Sequence, residues 1–264
     1  MGFWLAKFVF LGPLLRLIWH PWIEGRENIP DDRPAILASN HLSFCDSFFL
    51  PLLMPRKVTF LAKSEYFTTP GLKGLVSRLF FSGVGQVPID RSDKGASQAA
   101  LDTGVRVLRA GQNNLLGIYP EGTRSPDGRL YRGKTGVARL ALESGAVVVP
   151  CVMVNTDVIQ PAGRLLPRLR PRPGVQIGKP LDFSRYEGMA GDRFVERSIT
   201  DEIMYELMQL SGRDYVDRYA AEVKKAKGLD TGFGARERET GIAQAADAAQ
   251  AAEAADRLPD SRAS

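Results

Sequence analysis

An α/β layer architecture, with helices packed on a sheet, is the fold class this 264-residue sequence predicts. Three observations lead there. Short apolar runs alternate with longer amphipathic ones, the pattern of strands joined by helices. Length and an apolar content of 44% leave room for one large domain with an ordinary core, or at most two small ones. Polar clusters follow three of the apolar runs directly, at the strand ends where open α/β sheets place ligands.

Residues 2–23 are apolar and aromatic and hold all three tryptophans, Trp4, Trp19 and Trp22. Lys7, Pro13, Arg16 and His20 interrupt them, whereas a spanning helix needs about twenty largely uncharged residues. Trp19-His20-Pro21-Trp22 offers no signal-peptide cleavage site. Tryptophans beside basic residues mark an interfacial segment, so residues 1–23 are expected to be a membrane-surface anchor, split by Pro13 into two short helices. A core helix and a true span are the alternatives.

Residues 24–33 read as a polar linker into a domain running to residue 227. Pro34-Ala35-Ile36-Leu37-Ala38-Ser39 reads as a buried strand, and Asp46-Ser47-Phe48-Phe49-Leu50 as the opening of a helix, since a carboxylate suits a helix N-terminus. Residues 57–63 are a further strand, and Pro70 starts a helix through Leu72, Leu75, Val76 and Leu79. A short strand in 83–91 ends in Asp90-Arg91; its glycines lack the third member of a dinucleotide fingerprint. Residues 92–110 form an amphipathic helix with Leu101, Val105 and Leu108 on one face and Gly111 as its stop.

The strand Leu115-Leu116-Gly117-Ile118-Tyr119 enters a loop at 120–128 too rich in proline and glycine for regular structure. A helix at 134–144 closes on Gly145, and 146–155 is an apolar strand containing Pro150. Residues 175–178 add a late strand, and 194–210 a helix with Ile199, Ile203, Leu207 and Leu210 at helical spacing. Between them, 164–173 holds Arg164, Arg168, Arg170 and Arg172 among three prolines, either a solvated loop or a contact for phosphate or anionic lipid. Residues 228–264, rich in Gly, Ala and charge, read as a disordered tail.

The net charge of +5 hides an asymmetry: 228–264 hold seven acidic and four basic residues, so residues 1–227 carry +8. A basic body suits phosphate-bearing substrates, acidic lipid or nucleic acid. No aromatic-rich basic face or known module supports nucleic acid. Two cysteines, Cys45 and Cys151, and two histidines give neither a disulfide framework nor metal-ligand spacing.

The clusters after the strands are Asn40-His41 with Asp46, Asp90-Arg91, and Glu121-Gly122-Thr123-Arg124. If the strands are neighbours, these converge on one cleft. It would hold a histidine base oriented by a carboxylate, two arginines whose forks suit phosphate, and a glycine loop whose N–H groups suit an oxyanion. Arg91 and Arg124 read equally well, each taken alone, as structural ion-pair partners of Asp90 and Glu121. There is no Gly-x-Ser-x-Gly elbow and no Walker loop. The chemistry that fits is direct attack by a substrate hydroxyl that His41 deprotonates; Ser43 and Cys45 are candidate nucleophiles or loop filler.

Four blocks in order resemble the glycerolipid acyltransferase family, and within it the 1-acyl-sn-glycerol-3-phosphate acyltransferases. They are His41 with Asp46, Val87-Pro88-Ile89-Asp90-Arg91, Tyr119-Pro120-Glu121-Gly122-Thr123-Arg124-Ser125, and Val148-Val149-Pro150-Cys151, within a resemblance covering roughly residues 24–210. Tyr119 stands where the family usually has Phe. The resemblance implies a glycerolipid-acyltransferase-like sheet flanked by helices. It also implies acyl transfer from acyl-CoA or acyl carrier protein, as co-substrate and without a cofactor or metal, to the hydroxyl of 1-acylglycerol 3-phosphate. His41 would be the base and Asp46 its orienter. Arg91 would bind the acceptor phosphate, Glu121, Gly122, Thr123 and Arg124 would shape the acceptor site, and Pro150 would pack near it. Work on a lipid at the cytoplasmic membrane face would suit both the anchor and the basic body.

Other acceptors within the family are glycerol 3-phosphate, other lysophospholipids, lyso-ornithine lipid and a glycolipid. A membrane-binding protein with a degenerate site, and a hydrolase acting covalently through Ser43 or Cys45, are the readings from other classes.

Overall fold

The computed structural model describes residues 11–63, 71, 86–89, 96–161, 164 and 166–229. The first ten residues, the helix expected from Pro70 through Leu79, Asp90, Arg91 and the tail beyond Leu229 lie outside the described residues. Up to Ala220 the chain forms one unit, which holds the sheet. A second unit starts at Ala221 and takes in nearly all of the short helix Ala220–Ala226.

Among the described residues nine strands follow one another in chain order: β1 (Trp22–Glu24), β2 (Ala35–Ser39), β3 (Val58–Lys63), β4 (Gln86–Ile89), β5 (Leu115–Ile118), β6 (Leu130–Tyr131), β7 (Val147–Val154), β8 (Gly174–Ile177) and β9 (Tyr215–Val216). Seven make one sheet in the order β1-β8-β7-β2-β5-β3-β4. β7, β2, β5, β3 and β4 are mutually parallel, while β8 runs antiparallel to β7 and pairs in parallel with β1. β2, buried at every residue, has β5 and β7 on either side. A strand covered on both faces needs no polar alternation, which is why Ala-Ile-Leu-Ala can form it.

Alternate residues of the sheet feed two cores. Ala35, Leu37, Leu115, Val149 and Met153 face helices α1 (Leu11–Trp19) and α2 (Asp46–Leu53) through Leu15, Phe49, Leu50 and Leu52. Ile36, Ala38, Leu116, Val148 and Val152 face α3 (Ala96–Arg109), α4 (Gly136–Ser144) and α6 (Arg193–Ser211). The last is an amphipathic helix whose Ile199, Ile203 and Leu207 are buried, as the spacing predicts. Its cap is Asp192, which accepts the N–H groups of Phe194 and Val195 at 2.8 and 3.2 Å, and it ends on left-handed Gly212. A one-turn helix, α5 (Thr156–Ile159), follows β7.

β1, β6, β9 and α5, none longer than four residues, were not predicted, because such segments are too short to show a period. β1 matters most. It takes Trp22 and Glu24, expected in the anchor and the linker, into the sheet against Gly174 and Gln176. Pro13 lies in the first turn of α1, where a missing N–H is tolerated. Among the described residues no helix is long and apolar enough to cross a membrane.

Gly117 in β5 is a close-approach glycine. A Cβ built on it would lie 2.2 Å from Cζ of Phe60, its register partner on β3. Gly117→Ala must push that ring aside, and we expect a loss of about 1–3 kcal/mol in unfolding free energy, read by urea denaturation. An unchanged midpoint would show that the ring gives way freely.

Candidate active site

β2 and β5 lie in register, Ala38 beside Ile118, so residues 40–41 and 120–121 leave the sheet side by side at its carboxyl edge. The predicted convergence of the first and third clusters is therefore present. Asn40 extends the β2–β7 ladder with its side chain: its Oδ1 accepts the Met153 N–H at 2.8 Å. That bond fixes the direction in which the chain leaves for His41.

The loop 41–45 closes around one oxygen. Asp46 Oδ2 accepts the N–H groups of Leu42 and Ser43 at 2.7 and 2.8 Å and lies 2.8 Å from His41 Nδ1. The carboxylate side chain is fully buried and that of His41 16% exposed. A carboxylate accepts, so Nδ1 carries a proton, and in the neutral imidazole it is Nε2 that keeps the lone pair. Asp46 Oδ1 is buried without a hydrogen-bond partner among the described residues. His41 is held from a second side by Tyr119, whose ring stacks on it at 3.9 Å between centroids and 12° between planes. Phe60, the ring that Gly117 makes room for, backs Tyr119 at 5.5 Å. The imidazole thus has one bonded edge and one covered face.

Glu121 is buried and points inward: it accepts the His41 N–H at 3.3 Å and the Tyr131 N–H at 2.9 Å. It ties the glycine loop to the base loop, and Ser125 adds a second tie by donating its N–H to the His41 carbonyl at 2.7 Å. Gly122 has φ +72°, a left-handed conformation that favours glycine. Thr123 is half-buried, and Arg124 is exposed with no ion pair among the described residues. The structural ion pair of Arg124 with Glu121 is thus not formed.

Sequence reasoning passed over Lys134. A Cβ at Gly122 would lie 3.2 Å from its Nζ, so an exposed ammonium stands over this glycine of the loop. The signal was a glycine that a cation must approach, legible only in three dimensions. Arg91 lies outside the described residues. Pro150 sits in β7 opposite Ala38, one residue before the last pair of the β2–β7 ladder, Ser39 with Cys151.

Farther along the loop, Asp127 accepts the Tyr131 hydroxyl at 2.9 Å and the Arg129 guanidinium at 2.8 Å. Partial burial pushes this carboxyl up, but those bonds outweigh it and hold it at about 2, below its ordinary 3.8. The clamp steadies Tyr131, whose N–H holds Glu121.

Ser43 and Cys45 are not exposed nucleophiles. Both are buried, and both donate to Gln160: Ser43 Oγ to its backbone carbonyl at 2.9 Å, Cys45 Sγ to its side-chain oxygen at 3.1 Å. Burial, then the charge of Asp46, pushes the Cys45 thiol up to about 11. At neutral pH roughly one thiol in 10⁴ is then the reactive thiolate. Among the described residues no group of three His, Cys, Asp or Glu could hold a metal ion.

A family model described as Acyltransferase matches residues 20–154. A chloroplastic 1-acyl-sn-glycerol-3-phosphate acyltransferase of Arabidopsis thaliana is 36% identical over 142 residues, 53% of this chain and 38% of the relative. The 1-acyl-sn-glycerol-3-phosphate acyltransferase of Limnanthes alba is 35% identical over 57% of this chain and 50% of its own length. The human 1-acyl-sn-glycerol-3-phosphate acyltransferase beta is 33% identical over 49% of the chain and 45% of its own length. The chain spans half or less of the length of these relatives. The crystal structure of the 1-acyl-sn-glycerophosphate acyltransferase PlsC from Thermotoga maritima superposes with a TM-score of 0.51 at 25% identity, covering 76% of this chain and 80% of that one.

Two outcomes follow from the site itself. In the native protein Cys45 should resist iodoacetamide at pH 7 and react only after unfolding, as read by mass spectrometry; rapid native alkylation would show an accessible thiolate. Asp127 is held below its unfolded value, so its contribution to stability is complete above about pH 4 and is lost as the pH falls toward about 2. Unfolding curves across that window should steepen this loss in the parent and flatten it in Asp127→Asn.

Proposed function

Because the chain belongs to the Acyltransferase family, we propose that it transfers a fatty acyl group from a thioester donor to the free hydroxyl of 1-acylglycerol 3-phosphate, making phosphatidate. The observation that supports this most directly is the geometry of His41: Nδ1 against a buried carboxylate, one face covered by Tyr119 and the ring partly exposed. In this reading Nε2 takes the proton from the acceptor hydroxyl. The oxygen attacks the thioester carbonyl, the carbon–sulfur bond breaks, and the thiolate leaves with the proton that His41 returns. No covalent enzyme intermediate is needed, which agrees with buried Ser43 and Cys45.

Asp46 keeps the imidazole in the tautomer that can accept, and stabilises the imidazolium formed during attack. Arg124 and Lys134 stand beside the glycine loop as cations for an anionic substrate, and Arg91 is the further arginine proposed for the acceptor phosphate. Glu121 acts through the backbone, by holding the two loops at one spacing. Acyl-CoA and acyl carrier protein both offer the thioester required. The relatives' names are the support for the acceptor, and a lipid acceptor suits an enzyme at the cytoplasmic face of a membrane, held there in part by residues 2–23.

The test is transfer of a labelled long-chain acyl group from acyl-CoA, in detergent, to lysophosphatidate, glycerol 3-phosphate, lysophosphatidylcholine and a lyso-glycolipid. Lysophosphatidate should be the strongest acceptor, and His41→Ala should lower turnover by about 10²- to 10⁴-fold. Full activity in that variant would remove the base from the mechanism. Transfer confined to the glycolipid would remove the phosphate roles of Arg91, Arg124 and Lys134.

A further inference from the structure

The loop after α5 carries charges that acyl transfer does not use. Arg164, Arg168, Arg170 and Arg172 are all exposed, and among the described residues none pairs with a carboxylate. Between them Leu166 and Leu169 are 73% and 65% exposed. Water is a poor solvent for such leucines, and their alternation with guanidiniums gives an amphipathic edge.

This loop is fastened to the N-terminal helix. Trp19 Nε1 donates to the Arg168 carbonyl at 2.8 Å, and Arg172 Nε donates to the His20 carbonyl at 2.7 Å. From the other side the Arg168 N–H donates to the Ile159 carbonyl at 2.8 Å, and Asn155 Nδ2 to the Arg172 carbonyl at 2.9 Å. The helix so fastened exposes Leu14 at 52% and Leu17 at 73%, with Ile18 and Arg16 also exposed. Two segments about 150 residues apart therefore meet, and both present leucine beside arginine.

We propose that the arginine loop and the outer side of α1 form one docking surface for an anionic phospholipid bilayer. The guanidiniums take headgroup phosphates and the leucines enter the boundary of the acyl chains. Charge decides the occupant: guanidiniums with no carboxylate partner among the described residues call for anions, and leucines interleaved with them call for hydrocarbon just beyond those anions. A bilayer rich in acidic lipid offers both in that order. A nucleic acid would leave the leucines in water. The surface rests on the reading of the enzyme as one that works on a lipid, and it adds a second, charge-dependent element to the apolar segment at residues 2–23.

The experiment is co-sedimentation of the full chain with vesicles of phosphatidylcholine alone and of phosphatidylcholine containing phosphatidylglycerol. Acyl transfer to detergent-dispersed lysophosphatidate is measured in parallel. The parent should prefer the anionic vesicles and lose that preference as salt rises. Arg168→Glu with Arg170→Glu should weaken anionic binding by at least about thirtyfold, on the usual contribution of one basic residue near such a surface. Arg168→Lys with Arg170→Lys should keep most of it. Leu166→Ser with Leu169→Ser should weaken binding to both kinds of vesicle, and transfer in detergent should stay at the parent's rate in all three. Binding of the Glu variant within about threefold of the parent would overturn the proposal. So would a parent that does not distinguish the vesicles, or a Glu variant that loses transfer in detergent. A parent that transfers nothing in detergent would remove the enzymatic reading while the vesicle comparison still decides the surface.

Discussion

One carboxylate oxygen organises the carboxyl edge of this sheet. Asp46 Oδ2 draws in two backbone N–H groups and an imidazole edge, and the loop that carries them can close only around that point. Buried charge is costly unless hydrogen-bonded, so the three donors and the burial depend on one another. Everything nearby is arranged to deliver them. β2 launches the loop, the Asn40 amide prolongs the strand pairing, and α2 begins at the carboxylate itself. Glu121 and Ser125 then fix the glycine loop to the backbone of the same histidine. Aromatic packing closes the remaining side, through a stack that runs from His41 to Tyr119 to Phe60 and exists because Gly117 has no side chain.

Much of this could be read from the chain. β2, β5 and β7 are apolar runs with nothing polar to mislead, and the His41–Asp46 spacing and the Glu121 loop follow strands that are neighbours and parallel. Glu121, expected to shape the acceptor site, accepts the backbone N–H groups of His41 and Tyr131, contacts that no local pattern announces. What stayed hidden shares a physical cause: contacts between positions far apart, with no local period. β1 exists because Trp22 lies across Gly174, where an added Cβ would come within 2.0 Å of the indole. Gln160 holds Ser43 and Cys45 from 115 residues or more away, and Lys134 reaches Gly122 from a neighbouring segment. Propensity and periodicity cannot report such meetings, because each partner looks ordinary in its own sequence window.

Gln160 also joins two parts of the molecule that the sequence kept separate. Its carbonyl and side chain hold the base loop, and the arginine-bearing segment begins just after it. α1 plays a similar part from the other end of the chain, since Trp19 meets both the Arg168 carbonyl and the edge of Phe49 on α2. The surface bearing leucine and arginine and the helix bearing Asp46 therefore share their supports.

The seat of Leu15 sets a lower limit on any shortened form of the chain. This side chain is buried with Leu37, Phe49 and Leu50, and Trp19 packs against the same group. An apolar leader is an obvious target for trimming when a protein is purified. Here a cut beyond Leu11 would remove part of one of the two helices, α1 and α2, that cover this side of the sheet and trade a sticky terminus for an opened core. Solubility is better sought by recolouring the exposed Leu14 and Leu17 than by removing the helix that bears them.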